Sequence, residues 1–292
     1  MYNERRIKNS ERLQLILLDN LYAQSGSEQV IFQGGTAIRW VYGGLRFSED
    51  LDFVTGMSRE KLERLMEKTF PQTHRACIAQ FGIGEQEIKV KVRRKEAKSF
   101  LYIYRPQMRR QRIAVKLEFE FLRSGQQPES ERFILRELPL VRSLIAAGEL
   151  MMPYSSSIIL AETAEEIFSD KIRAIYERRY LKGRDLYDIW WLKNHLKITP
   201  SWDKVEQKLN MYEIPFVPFR EAGYFQKESS MGAIIQSLET DLPRFVPENI
   251  LSMYQGNHFS DFVATLKDVT SFLMEQGMND FFSGYERGKS HH

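Results

Sequence analysis

The sequence predicts an α/β or α+β domain, α+β being the choice, whose mixed sheet is covered by helices mainly on one face, and a mostly helical domain after it. Short apolar runs and alternating segments are concentrated in the first half of the chain, and amphipathic helical patterns lie between them. Beyond Pro153 the strand signal fades and helical periodicity takes over.

The charged stretch Met1 to Glu11 leads into Leu13, Ile16, Leu17 and Leu21, whose spacing is that of an amphipathic helix. Val30 to Phe32 reads as a strand that stops at Gly34-Gly35, and Thr36 to Tyr42 as a short helix closed by Gly43-Gly44. Leu51, Phe53 and Val54 mark a second strand. Ser58 can cap a helix that buries Leu62, Leu65 and Met66, with Pro71 read as its stop. Ile88 to Val92, Phe100 to Tyr104 and Ile113 to Phe121 alternate apolar and polar residues as strands of one sheet do, and the polar stretch Ser124 to Glu131 interrupts it. Helical patterns follow at Ala164 to Tyr180, Leu186 to Leu196, Trp202 to Tyr212 and Ser260 to Gln276. Pro215 to Pro247, aromatic and proline-bearing, gives no readable pattern. The expected division is into domains 1–155 and 156–292.

With 292 residues and 42% hydrophobic content the chain can bury a sizeable core, whereas a net charge of only +3 means that any attraction to nucleic acid must come from local clusters. Cys77 is the only cysteine, which excludes an internal disulfide and a thiolate zinc site and points to a reducing cytoplasm. No apolar run approaches the roughly 20 residues that span a bilayer, and the charged start lacks the apolar core of a secretory signal. A cytoplasmic protein without membrane contact is expected.

The chemistry concentrates in Gln33 to Phe53, QGGTAIRWVYGGLRFSEDLDF. Gly34 and Gly35, between a strand and a helix, let backbone amides approach a phosphate closely, and Thr36 adds a hydroxyl. Asp50 and Asp52 lie two apart in a predicted strand, so both carboxylates project from one face, close enough to share divalent cations, with Mg²⁺ the natural choice beside phosphates. Two such charges repel one another unless a cation sits between them.

This stretch resembles motif one of the polymerase-β-like nucleotidyltransferase superfamily. Its fuller form, with the glycine turn, Tyr42, Gly43, Arg46, Ser48, Asp50 and Asp52 in order, is similar to the AbiEii/AbiGii toxins of type IV toxin–antitoxin and abortive-infection systems. The resemblance implies a polymerase-β-like nucleotidyltransferase domain followed by a helical domain, and transfer of a nucleotide from an NTP to an acceptor hydroxyl. It also implies a third carboxylate on a later strand. In VKLEFEF, Glu118 and Glu120 share the polar face; Glu118 is the first choice and Glu120 the alternate. Asp50, Asp52 and Glu118 would then hold two Mg²⁺ ions. The turn Gly34 to Thr36 would hold the β and γ phosphates, with Arg46 or Ser48 supporting the turn or touching phosphate.

Later motifs of the family have a counterpart in SDKIRAIYERRYLKGRDLYDIWWL. On a helix, Lys171, Ala174 and Arg178 share a stripe while Ile172 and Ile175 face the core, and the family gives the lysine a role towards the triphosphate across a cleft. Asp185, with Asp188 one turn later, is expected to help complete the site, Asp185 being the preferred member. Family analogy makes RNA the acceptor, in particular the 3′ end of tRNA, and implies a cognate antitoxin as partner. Two basic clusters suit RNA: Lys89, Lys91, Arg93, Arg94 and Lys95, then Arg105, Arg109, Arg110 and Arg112, with Tyr102 and Tyr104 between them as candidate base-stacking rings. Transfer to a protein or small molecule, and a nucleotide-binding module without turnover, are the alternative readings.

Overall fold

The computed structural model describes residues 4–93, 97–108, 111–152 and 157–289. The chain forms two compact units, one comprising the residues up to Thr163 together with Tyr212–Ile214, the other Ala164–Met211 and the chain from Pro215 onward.

The first unit is built on a seven-stranded mixed sheet. Its strands are β1 (Val30–Gln33), β2 (Leu51–Thr55), β3 (Gly84–Arg93), β4 (Ala97–Pro106), β5 (Ile113–Phe121), β6 (Ser130–Ile134) and β7 (Ile158–Glu162). They lie in the order β3-β4-β5-β2-β1-β7-β6. The β2–β5 and β1–β7 pairs are parallel and the other pairs antiparallel. Alternation along β5 separates the two faces: Ile113, Val115, Leu117, Phe119 and Phe121 are buried, while the residues between them are half-exposed. On the buried face a row of rings crosses four strands, Phe32 to Phe53 at 5.5 Å, Phe53 to Phe119 at 4.9 Å and Phe119 to Phe100 at 5.9 Å between centroids. Helices α1 (Glu4–Tyr22) and α3 (Arg59–Phe81) pack on the sheet, and Phe70 of α3 meets Phe100 and Tyr102. The short helix α2 (Gly34–Trp40) leaves directly from β1, and α4 (Pro139–Ala146) follows β6.

Two expectations are corrected here. Pro71 does not stop α3 but sits inside its 23 residues. Proline in a helix interior costs about 3 kcal/mol, and the buried stripe Leu62, Leu65, Met66, Phe70 and Cys77 on both sides of it outweighs that local penalty. Strand structure also continues past Pro153: β7 pairs with β1 inside the sheet and with β6 at its edge. Its sequence, IILAE, is a short apolar run without the alternation that marks a half-exposed strand.

The second unit is helical, with α5 (Ala164–Glu177), α6 (Gly183–Asn194), α7 (Trp202–Met211), α8 (Glu228–Asp241), α9 (Glu248–Gln255), α10 (Ser260–Leu273) and α11 (Asn279–Lys289). Helix α5 packs on α6 and α7, and α6 on α8 and α10. Trp190 of α6 lies 4.7 Å from Phe262 of α10 between ring centroids, in an aromatic cluster with Tyr187 and Tyr254. The stretch from Pro215 to Pro247, unreadable in sequence, contains a 3₁₀ turn at Ala222–Gln226 and then α8.

Candidate active site

The end of β1 and the start of β2 bring the glycine turn and the acids together, because Gln33 is the register partner of Asp52. Gln33 is extended and Gly34 already opens α2, two residues earlier than the sequence pattern suggests. Gly34 has φ +77°, and a Cβ there would lie 2.7 Å from Oδ2 of Asp52. Only glycine allows both that backbone and that approach. At Gly35 a Cβ would lie 2.2 Å from Nη2 of Arg46 and 3.0 Å from Oγ of Ser48.

Several residues of the motif hold its own loop. Thr36 is fully buried and its hydroxyl donates to the backbone oxygen of Asp50. Arg46, only 3% exposed, donates through Nη1 to the Phe47 oxygen at 2.9 Å. Nε2 of Gln14, from α1, donates to the backbone oxygens of Ser48 (2.6 Å) and Glu49 (3.2 Å), while its Oε1 accepts from Trp40 Nε1 at 3.2 Å. The Tyr42 hydroxyl donates to the Glu162 oxygen at 2.6 Å. Thr36, expected beside phosphate, lies buried and bonded to the backbone of Asp50, while Arg46 and Ser48, expected to support the turn or touch phosphate, are buried against Gly35. Gln14 was missed in sequence because a polar residue in an amphipathic helix gives no sign of its partner.

Across the sheet, Asp52 pairs with Glu118 in the parallel register of β2 and β5, so the two share one face. Asp50, expected within the strand, lies just before β2, which begins at Leu51, and its side chain reaches Lys116 of β5. The four side chains form a block of two by two. Nζ of Lys116 is 3.0 Å from Oε2 of Glu118 and 3.4 Å from Oδ2 of Asp50. Partial burial disfavours the charged form of Lys116, but Asp50 and Glu118 outweigh it and hold the amine above its ordinary range. Glu120, the alternate third acid, is one step further along the same face, opposite Val54.

Magnesium takes hard oxygen ligands, and Asp52 and Glu118 on one sheet face, with Asp50 just before β2, are residues that could supply them. An ammonium already bridges two of the three, so the block suits positive charge. Among the described residues no group of three or more His, Cys, Asp or Glu side chains converges tightly enough to hold an ion as it stands. The donors fit magnesium in kind, and the Lys116 ammonium lies between Asp50 and Glu118.

The same face continues onto β4 and β3 in the row Asp52, Glu118, Ser99, Lys91. Lys89 pairs in register with Leu101, and Leu101 with Lys116, so Lys89 and Lys91 belong to the face that bears the acids. Glu87 partly offsets them, meeting Arg105 at 2.5 Å and Lys89 at 3.1 Å. The arginine, then the lysine, lower its carboxyl below the usual range. Arg94, Lys95, Arg109 and Arg110 lie outside the described residues. The base-stacking expectation for Tyr102 and Tyr104 is overturned. Both rings are fully buried on the opposite face, with the Tyr102 hydroxyl against Cys77 Sγ at 3.9 Å and that of Tyr104 donating to the Gly82 oxygen at 2.5 Å. The period of two that separates them from Lys89, Lys91 and Glu118 decides it, because residues of opposite parity in register face opposite ways.

In the helical unit, Lys171 of α5 is buried between two acids of α6. Its Nζ lies 3.1 Å from Oδ1 of Asp185 and 2.8 Å from Oδ2 of Asp188, and Arg178 also contacts Asp185. Burial alone would raise the Asp185 carboxyl, but Arg178, Lys171 and Arg184 outweigh it and hold the group well below the carboxylate range. The three residues singled out by the sequence are therefore brought together, as an ion cluster between two helices.

The mixed seven-stranded sheet, with Asp52 and Glu118 side by side near a glycine turn, followed by a helical part, is that of a nucleotidyltransferase fold. The AbiEii family model, described as a nucleotidyl transferase toxin of Type IV toxin–antitoxin systems, matches residues 16–251, and the chain belongs to that family. Among solved structures, JHP933 from Helicobacter pylori is similar over 99% of this chain and 100% of its own, with a TM-score of 0.54 and 16% identity. A second H. pylori structure, provisionally described as a nucleotidyltransferase, is similar over 95% of this chain and 97% of its own, with a TM-score of 0.53 and 16% identity. At this identity the likeness concerns the fold. No curated protein sequence matches the chain. None of the helices of the described residues is long and apolar enough to cross a membrane.

Proposed function

We propose that the chain transfers a nucleoside monophosphate from an NTP to an acceptor hydroxyl at the Asp50–Asp52–Glu118 face. The observation that carries this reading is the register that sets Asp52 opposite Glu118, with its carboxylate against Gly34. In the reaction the acceptor oxygen attacks the α-phosphorus and the bond to the β-phosphate oxygen breaks. Pyrophosphate leaves with that electron pair, and the hydroxyl proton passes to a carboxylate of the face or to water. Asp50, Asp52 and Glu118 would hold two Mg²⁺ ions, whose charge counters that of the triphosphate. Gly34 would give the phosphates close access to backbone amides, Thr36 holds the backbone of Asp50, and Arg46 and Ser48 support the turn at Gly35. Lys171, Asp185 and Asp188 order the α5–α6 pair of the helical unit.

The acceptor we propose is RNA, specifically the 3′ end of tRNA. Lys89 and Lys91 on the acid-bearing face support it, since phosphate contacts favour cationic surface. The protein would act in the cytoplasm, with a cognate antitoxin as its partner. The test is incubation with each labelled NTP, Mg²⁺ and total RNA. Label entering tRNA, lost with Asp50→Ala in a protein that still folds, is the expected result; retention by Asp50→Ala would overturn it. Label in protein or a small molecule instead would leave the transferase reading and remove the RNA acceptor.

A further inference from the structure

Lys116 is out of place in a face designed only to gather cations. It lies two residues before Glu118 on β5, projects to the same side, and puts its ammonium within 3.4 Å of Asp50 and 3.0 Å of Glu118. Asp50, Asp52 and Glu118 bring three carboxylates to this face, and Lys116 sets one ammonium among them. An ammonium and a divalent ion cannot both use the same carboxylate oxygens without repelling one another at this range.

We infer that Lys116 is a built-in cation that stands in for one of the two metal ions in the protein without NTP. It holds Asp50 and Glu118 together against their mutual repulsion, and it limits the face to one divalent ion until the lysine swings away. The inference rests on the metal reading of Asp50, Asp52 and Glu118 proposed above. The flexible four-carbon stem of lysine and its single-point charge suit a group that must give way, as a rigid, bidentate guanidinium would not. The face is accessible enough for exchange, because the Lys116 side chain is 35% exposed and that of Glu118 39%.

The experiment is a Mn²⁺ titration of the NTP-free protein, followed by electron paramagnetic resonance, on wild type, Lys116→Met and Lys116→Gln, with Asp50→Ala locating the site. Wild type should bind one Mn²⁺ that Asp50→Ala loses. Both lysine variants should bind the first ion at least tenfold more tightly and admit a second. In EDTA the variants should melt several degrees below wild type and regain the difference when Mn²⁺ is added, a pattern that a merely structural lysine would not give. If one variant fails to fold, the other decides. Wild type binding Mn²⁺ at this face while the variants bind it equally or more weakly would overturn the role of Lys116 and leave the metal centre standing. Absence of uptake by wild type and variants alike would overturn both.

Discussion

Nη2 of Arg46 occupies the space that a side chain at Gly35 would need, with an ideal Cβ only 2.2 Å away. Arg46 is buried and bonded to the Phe47 oxygen, so it cannot swing into solvent without abandoning that bond. Gly35→Ala should therefore destabilise the sheet unit by about 2 kcal/mol, the usual scale of overpacking a tight site. It should also lower nucleotide transfer by disturbing the Arg46–Ser48 segment that leads to Asp50. Gly43→Ala is the contrast: Gly43 has φ +80° but nothing within 4 Å, so it should cost about 1 kcal/mol from backbone strain alone and spare transfer. Urea unfolding and the transfer assay on both variants check this; equal effects on transfer would refute the packing argument.

Thr36 has a similar task, since its buried hydroxyl donates to the backbone oxygen of Asp50. Thr36→Val keeps the shape and leaves that oxygen without its donor, and should cost about 1 kcal/mol. Thr36→Ser restores the bond and should recover most of the transfer rate. If valine and serine behave alike, the hydroxyl is not what places Asp50.

The glycine turn and the alternation of β5 were legible because each rests on a local rule, the freedom of glycine and a period of two; Asp50 falls just before β2, so strand spacing alone did not place it. The motif left open whether Arg46 and Ser48 support the turn or touch phosphate and did not reveal that Thr36 turns inward, because burial depends on Gln14 and the neighbouring helix, which are distant in sequence. Tyr102 and Tyr104 were misplaced by reading composition before parity. Lys116 was visible as the residue alternating with Glu118, yet its contact with Asp50 needed the parallel register of β2 and β5, which sequence spacing does not supply. Pro71 and β7 show packing overriding a local signal in opposite directions, one tolerating a helix breaker and the other recruiting a short apolar run into the sheet.

The Lys171–Asp185–Asp188 cluster should govern the acid limit of the helical unit. Asp185 has a folded pKa below its unfolded value near 4, so it contributes stability above that value and loses it as pH falls towards the folded pKa. Asp185→Asn leaves Lys171 and Arg178 short of a buried counter-charge and should cost about 3–5 kcal/mol at neutral pH. Below about pH 4 the gap to wild type should narrow, because the wild-type carboxyl is then being protonated as well. Thermal melts from pH 7 to pH 3 decide it, and a gap that stays constant would show that charge is not the cause.

Lys182, whose backbone oxygen accepts from the Asp185 amide at the start of α6, works in the opposite sense. Burial, then Arg178 and Arg184, push its amine down to about 8, despite the opposing pull of Asp185 and Asp241. Below pH 8 the folded protein bears the full cost of a disfavoured ammonium. Between about 8 and the ordinary lysine value near 10.5, the unfolded chain binds more protons than the folded one, so stability from this group rises with pH. Lys182→Met should therefore raise the melting temperature at pH 7, by a stabilisation of about 1 kcal/mol or less because water screens a half-buried group. The advantage over wild type should shrink as pH climbs through 8 to 10. A variant less stable than wild type at pH 7, or an advantage that does not change with pH, would mean that Lys182 is held there by favourable contacts.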